Sequence, residues 1–235
     1  MSAFWQNHIA LNFIEEDRWH YLLNGLGNTM LITVFALLLG VVLGALIAIV
    51  RVTHDKADRP STVIRVLDRL ARIYLAVVRG TPMMVQMLIA YFVIFVAWDP
   101  GKVPVAIIAF GLNSAAYVAE IIRGGINSID PGQMEAGRSL GLGYRETMTD
   151  IILPQAIKNV LPALCNEGIA LLKETSIAGY IGLGDLTRGA MQISSQTYDY
   201  FPPLLAIAAI YLCIVLLLTK LVNLLERRLA QGDRG

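Results

Sequence analysis

The chain has 235 residues, of which 56% are hydrophobic and 16% charged, and its formal net charge is +1. Soluble domains are about a quarter charged and a little under half apolar. This composition therefore excludes a disordered tail or a nucleic-acid-binding module, and it speaks against an ordinary cytosolic enzyme. It fits an all-α membrane protein. In chain order, residues 1–21 read as an amphipathic segment, with Ile9, Leu11, Phe13, Ile14 and Trp19 resting on the membrane interface. An acidic leader, Glu15-Glu16-Asp17, precedes the first apolar run, and that run is too long for a cleaved signal peptide. A helix needs roughly 20 apolar residues to cross a bilayer. Thr29–Val50, Gly80–Trp98, Val103–Ala119 and Phe201–Thr219 meet that need. Asn159–Ile181 is apolar overall but carries Glu167, Lys173 and Glu174; it is counted as the fourth of five transmembrane helices. The membrane domain then covers residues 22–228, and residues 229–235 form a tail.

Basic residues orient the chain. Arg51–Arg72, Arg123–Lys158 and the C-terminal end with Arg227, Arg228 and Arg234 hold thirteen, against Arg18, Lys102 and Arg188 on the other side. By the positive-inside rule the N-terminus is outside and the C-terminus cytoplasmic. Asp55–Arg72 resembles a helix on the inner membrane surface. Val63, Ile64, Val66, Leu67, Leu70 and Ile73 make its apolar stripe, with Arg65, Asp68, Arg69 and Arg72 on the other face. Pro82 is expected to kink the second span. Met83, Met84 and Met87 read as core filler before path lining. Gly40-xxx-Gly44 is a close-packing signal whose first reading is ordinary helix packing.

Bond-making chemistry is hard to find. Cys165 and Cys213 sit in apolar stretches, outside any CxxC pair, and read as buried small hydrophobes. His8, His20 and His54 lack metal-ligand spacing, so no metal site is expected. Gly25-Leu26-Gly27 does not continue into a phosphate-binding GxGxxG, and there is no nucleophile elbow.

The segment of residues 130–153 is not a plain loop. Asp130-Pro131 is an N-cap followed by a proline suited to the first helical position. Gln133–Leu140 continues that helix, Gly141-Leu142-Gly143 breaks it, Tyr144–Ile152 forms a second short helix, and Pro154 opens the next span. Two capped helices between two membrane spans make a docking surface. Glu135-Ala136-Gly137, three residues, Gly141, nine residues, then Ile151-Ile152-Leu153-Pro154 resembles the EAA motif of permease subunits of bacterial ABC importers. Gly137 stands where that motif has a third alanine. Arg79-Gly80-Thr81-Pro82-Met83-Met84-Val85-Gln86 resembles the RGTP signature of polar amino-acid permeases, and Leu112–Gly125 and Leu171–Ser176 are similar to segments of the same subfamily.

The resemblance, over roughly residues 20–228, implies a histidine/glutamine-type permease in the bacterial inner membrane, with five helices and a cytoplasmic two-helix coupling segment. It also implies two cytoplasmic ABC ATPase subunits, a second permease subunit, identical or related, and an extracytoplasmic amino-acid-binding protein. ATP would bind the ATPase partner, leaving this chain without a cofactor and without enzymatic activity of its own. The coupling residues carried over are Glu135, Ala136, Gly137, Gly141, Leu142, Gly143, Leu153 and Pro154. The cargo would be a polar amino acid; another small polar solute, such as an opine or cystine, is the alternative. A secondary transporter fits less well because the doubled repeat usual in such folds is missing. A scaffold without transport sits poorly with Glu167 inside a span.

Ionisable groups at membrane depth face a cavity or a partner. Asn113, Tyr117 and Glu120 recur at i, i+4 and i+7 on one face of the third span. Glu167 and Glu174 share a face of the fourth, with Lys173 beside them. An amino-acid zwitterion needs an anion for its ammonium and a cation or helix N-terminus for its carboxylate, and these faces offer both charges. Each residue also has a plainer reading. Glu120 can pair with Arg123, Lys173 and Glu174 can lie at the outer interface, and Glu167 can make an interhelical hydrogen bond.

Overall fold

The computed structural model describes residues 8–57 and 59–231. Residues 1–7 of the N-terminal segment and residues 232–235 of the tail lie outside that description. Among the described residues every regular element is helical: α1 (Trp19–Lys56), α2 (Thr62–Gly80), α3 (Met83–Ile89, continued by a π turn over Ala90–Ile94), α4 (Lys102–Asn127), α5 (Pro131–Ser139), α6 (Tyr144–Glu146), α7 (Leu153–Glu174), α8 (Leu186–Thr197) and α9 (Phe201–Gln231). A π turn covers Thr147–Ile152 and a 3-10 stretch Thr175–Ile181. Helices α1, α4 and α9 are long and apolar enough to cross a membrane, and α2 with α3 makes a fourth candidate if the pair counts as one broken span. The run Asn159–Ile181 does not join them. Its charges lower its hydropathy, and the run ends in 3-10 turns beyond Glu174, although the helix itself passes through Pro162 unbroken.

The second apolar run is not one kinked helix. Thr81 (φ −123, ψ 147) and Pro82 (φ −63, ψ 135) are both extended and separate α2 from α3. A proline pushes the residue before it out of the α region and lacks the N–H that the next turn needs. Arg79 and Gly80 accordingly end α2. The amphipathic helix runs over Thr62–Gly80 rather than Asp55–Arg72, and Asp55 belongs to α1.

Packing divides the chain into two units. One comprises the described residues to Leu37, Pro82–Gly111 and Gly168–Lys220; the other comprises Leu38–Thr81, Leu112–Glu167 and the residues from Leu221. In the first, Ile32, Met87, Phe110 and Leu171 are almost fully buried in one cluster, with Met83 packed against it. Two of the three methionines are thus core. A second cluster holds Leu22 with Leu186, Ala190 and Ile193 of α8, at helical spacing. Helix α8 is absent from the predicted elements. It starts at Asp185, whose carboxylate accepts hydrogen bonds from the Thr187 and Arg188 amides at 2.9 and 3.2 Å. The early turns of α1, which hydropathy assigns to no span, are held by protein. Asn28 donates to the Gly184 carbonyl at 2.8 Å, and a Cβ on Gly25 would stand 2.5 Å from the Asp185 carbonyl oxygen.

The N-terminal segment is anchored through polar groups as well as resting apolar ones outward. Ile9, Ile14 and Trp19 are exposed, as the interface reading expects, but Asn12 is fully buried. Its amide donates to the His8 carbonyl and to Asp199, both at 2.8 Å, and Arg18 donates to the Leu11 carbonyl at 2.6 Å. Burial works to raise the Asp199 carboxyl, but hydrogen bonds from His8 and Asn12 outweigh it and hold the group below the ordinary carboxylate range. A depressed folded value contributes stability above the unfolded pKa of about 3.9 and loses it as pH falls through the folded value. Amide protection over Ala10–Ile14 is therefore expected to drop below about pH 4. Asp199→Asn should give the low protection already at pH 7, and hydrogen exchange as a function of pH checks both.

In the second unit, α1 meets α4 through its glycines. A Cβ on Gly40 would lie 2.9 Å from Ser114, and one on Gly44 2.6 Å from Val118 Cγ1. The glycine pair thus serves packing within the chain. Leu75 of α2 packs on Ala116 and Ala119. Asp68, expected on the polar face of the amphipathic helix, is instead buried, with Arg51 at 3.3 Å and Arg72 at 2.7 Å. Two cysteines read as buried are not: Cys165 is half-buried and Cys213 exposed. Cys213 lies on α9, most of whose apolar stretch is not buried inside the chain. An apolar membrane helix turns such residues outward at no cost in hydrocarbon.

Candidate functional site

Two groups of residues carry the functional reading, and both lie mainly in the second unit. The first is the segment after α4. Asp130 caps α5, accepting from the Gly132 amide at 2.7 Å, and Pro131 occupies the first turn. Glu135, Ala136 and Gly137 ride on α5. A Cβ on Gly137 would lie 2.6 Å from Thr147 Cγ2, so the methyl of an alanine has no room there. That contact explains in packing terms why glycine stands at the third place of the motif. Helix α5 ends with Leu140 strongly exposed and Gly141 at φ +89, a conformation that disfavours any side chain. Leu142 and Gly143 follow, and the Gly143 amide donates to Glu146 at 2.6 Å.

The second short helix does not stop before Pro154. From Tyr144 the chain stays helical through α6, the π turn and α7, with Leu153 and Pro154 in the first turn of α7. A proline ring clashes with the carbonyl four residues back, here that of Asp150, and a wider π turn relieves it. Residues 130–153 thus form one short separate helix, packed through Gly137 on Thr147, and the leading end of a long one. Lys56, Ile126, Asp130, Met134, Glu135 and Tyr144 help line a cavity of about 310 Å³ beside it.

The second group is the polar stripe of α4. Asn113 is buried, Tyr117 exposed and Glu120 half-buried, so helical spacing does not give these three one environment. Glu120 accepts from Arg123 at 2.9 Å, which is the plainer of its two readings, and Arg79 approaches it at 3.8 Å. The Arg79 guanidinium also stands 5.8 Å from the centre of the Tyr117 ring, within cation–π range. Arg79, Tyr117 and Glu120 therefore make one cluster. Sequence reasoning quoted Arg79 as part of a signature but did not place it with the other two. Ser114 donates to Glu167 at 2.8 Å, an interhelical hydrogen bond. Lys173 and Glu174 are exposed at the end of α7.

Among the described residues, one set of side chains stands close enough together to be weighed as metal ligands. Ligand atoms of His54, Asp55 and Asp68 lie within 4.8 Å of one another. Asp68 already faces Arg51 and Arg72, and Arg72 also reaches Asp55 at 3.7 Å. Two guanidinium groups supply the positive charge that a metal ion would bring, so the group is an ion-pair network joining α1 to α2.

Residues 61–231 match the family described as binding-protein-dependent transport system inner membrane component. The arginine transport system permease protein ArtQ of Bacillus subtilis is 40% identical over 215 residues, covering 91% of this chain and 94% of that protein. A putative glutamine transport system permease protein, GlnP of Rickettsia typhi, is 38% identical over 211 residues, with 89% and 93% covered. Among solved structures, an amino acid ABC transporter with histidines superposes with a TM-score of 0.82 at 42% identity, covering 92% of this chain and 98% of that one.

Proposed function

Since the chain belongs to the family of inner-membrane components of binding-protein-dependent transport systems, we propose that it is the membrane-spanning subunit of an ATP-driven importer for a polar amino acid. It is a permease subunit and not an enzyme; ATP is bound and hydrolysed by a separate subunit. Similarity to permeases named for arginine and glutamine transport supports the amino-acid cargo. The observation that carries the coupling role is α5 itself, a helix capped by Asp130 that ends on exposed Leu140 and Gly141. Such a surface, attached directly to membrane helices, suits docking by a protein partner.

In this reading residues 22–228 are the permease domain and 130–153 its cytoplasmic coupling segment, with residues 1–21 outside and 229–235 a cytoplasmic tail. The five spans are α1, the broken α2–α3 pair, α4, α7 and α9. Two ATPases engage Glu135, Ala136, Gly137, Gly141, Leu142, Gly143, Leu153 and Pro154 on this chain and on a second permease. Their closure on ATP pushes α5 and biases the bundle between inward- and outward-facing packings. An extracytoplasmic binding protein delivers the solute. The path runs along Asn113, Tyr117, Glu120, Glu167, Lys173 and Glu174, and Arg79 adds a cation beside Tyr117 for the solute carboxylate.

The test is a ligand-stimulated ATPase assay on the assembled transporter in lipid, with its binding protein. Glu167→Gln keeps an oxygen to accept from Ser114 and removes the charge. It is expected to lower amino-acid-stimulated ATPase activity severalfold while basal activity stays near wild type. Equal loss of both activities would reassign Glu167 to the fold. No stimulation by any polar amino acid in the wild-type assembly would remove the cargo.

A further inference from the structure

We propose that the second unit holds a binding site for one anionic glycerophospholipid, built on the amphipathic helix α2. Leu43, Leu46 and Val50 of α1 face Leu67, Leu70 and Ala71 of α2 across an apolar groove of about 390 Å³. The small side chain of Ala71 leaves the groove its depth, and the Tyr74 hydroxyl, which donates to the Leu112 carbonyl, spends its polar group there. The α1 wall belongs to the most hydropathic span of the chain. From Leu43 to Val50 it runs about 10 Å along the helix axis, and the next residue is Arg51. The groove is therefore apolar along its length, as an acyl chain requires; Arg51 at its end is already engaged with buried Asp68, so the charge that meets a headgroup must come from elsewhere on α2.

Leu70 lines a second groove, of about 350 Å³, on the other flank of α2. This one is mixed: Val66 and Ile73 are apolar, while Arg65 and Arg69 are basic. Both arginines are exposed, and neither forms an ion pair among the described residues; Arg65 donates to Thr62 Oγ1 within its own helix. Arg72, by contrast, is engaged with Asp68 and Asp55. A phospholipid astride the Leu70 ridge puts one acyl chain in each groove and its phosphate between Arg65 and Arg69. The paired basic side chains select an anionic headgroup over a zwitterionic one, since each contributes to attraction at a negatively charged leaflet. A protein partner seated on the same apolar groove has no need of those two arginines, which is why lipid is the better occupant.

The site is tested with the full permease carrying Leu46→Trp, reconstituted in vesicles and titrated with brominated phosphatidylglycerol or brominated phosphatidylcholine. Leu46 is exposed, so the larger ring has room. Wild-type permease, with its native tryptophans, sets the background. Half-maximal quenching of Trp at position 46 is expected at a roughly tenfold lower mole fraction of phosphatidylglycerol than of phosphatidylcholine. Arg65→Gln with Arg69→Gln should erase that difference. Equal quenching by the two lipids before the arginines are changed would mean ordinary annular lipid and overturn the proposal. So would absence of quenching above background, which is what a second copy of the chain covering the groove would give. Native mass spectrometry without the tryptophan gives an independent reading. One retained phosphatidylglycerol is expected on the wild type and none on the double variant; equal retention overturns the site.

Discussion

Gly141→Val is expected to leave the permease inserted and paired, and to abolish both ATPase co-purification and uptake. Gly141 sits at φ +89, and a Cβ there would meet nothing within 4 Å. The cost to the chain is therefore backbone strain alone, about 1–3 kcal/mol, since no neighbour has to move. The bundle can carry that cost because its packing lies along α1, α4 and α7, away from the turn. The partner surface cannot: the branched side chain projects from the exposed end of α5, where a docking groove must approach closely, and relieving the strain swings Leu140 away. Co-purification of the tagged permease with its ATPase, beside uptake in cells, reads the two losses. Normal transport with retained ATPase would remove the coupling role proposed for residues 130–153.

The second large effect is on the fold itself. Gly44→Val should destabilise the permease by at least the 1–3 kcal/mol typical of overpacking. A Cβ at Gly44 would lie 2.6 Å from Val118 Cγ1 and 2.8 Å from the Ala115 carbonyl oxygen. Rotating Val118 does not relieve this, since its Cβ would lie at 2.7 Å and the carbonyl is part of the α4 backbone, so the helices must separate. In hydrocarbon no hydrophobic effect compensates, because lipid is as apolar as the core and close packing does the holding. The expected result is a lower thermal aggregation temperature in detergent and a smaller folded yield. Gly27→Ala, where a Cβ meets nothing within 4 Å, serves as the neutral control. Equal behaviour of the two variants would show that the α1–α4 contact is not stabilising.

Local chemistry was the part of this molecule open to reading from sequence. Asp130-Pro131 announced α5, and Gly141 its end, because caps and positive φ depend on a few adjacent residues. The pairing of Glu120 with Arg123 followed from i, i+3 spacing. What stayed hidden depends on residues far apart. Asp68 looks like a member of a polar stripe until Arg51 of another helix arrives over it. Arg79 joins Tyr117 and Glu120 across some forty residues of chain. The break at Thr81–Pro82 was read as a kink because membrane helices commonly tolerate proline, and hydropathy counts composition without regard to backbone continuity. Helix α8 was missed although Asp185 and the spacing of Leu186, Ala190 and Ile193 were sufficient signal. Its mean polarity made it resemble a loop between apolar runs.

The π turn over Thr147–Ile152 bears on how force would travel. A flexible linker between α5 and α7 would absorb a displacement by changing shape; an unbroken helical shaft passes it on as thrust and torque. A π turn is the compliant section of such a shaft, since it holds a surplus residue that can migrate along the helix by exchanging one backbone partner for the next. Each step of that migration turns the residue it passes by about 100°, the angle one residue subtends in an α-helix, while the helix on either side keeps its orientation. Pressure on α5, seated against Thr147 through the gap at Gly137, would thus fall on a stretch of the shaft whose facing side chains can be exchanged without turning the rest. Which side chains between Thr147 and the first turn of α7 meet α5 would then depend on where the surplus residue rests.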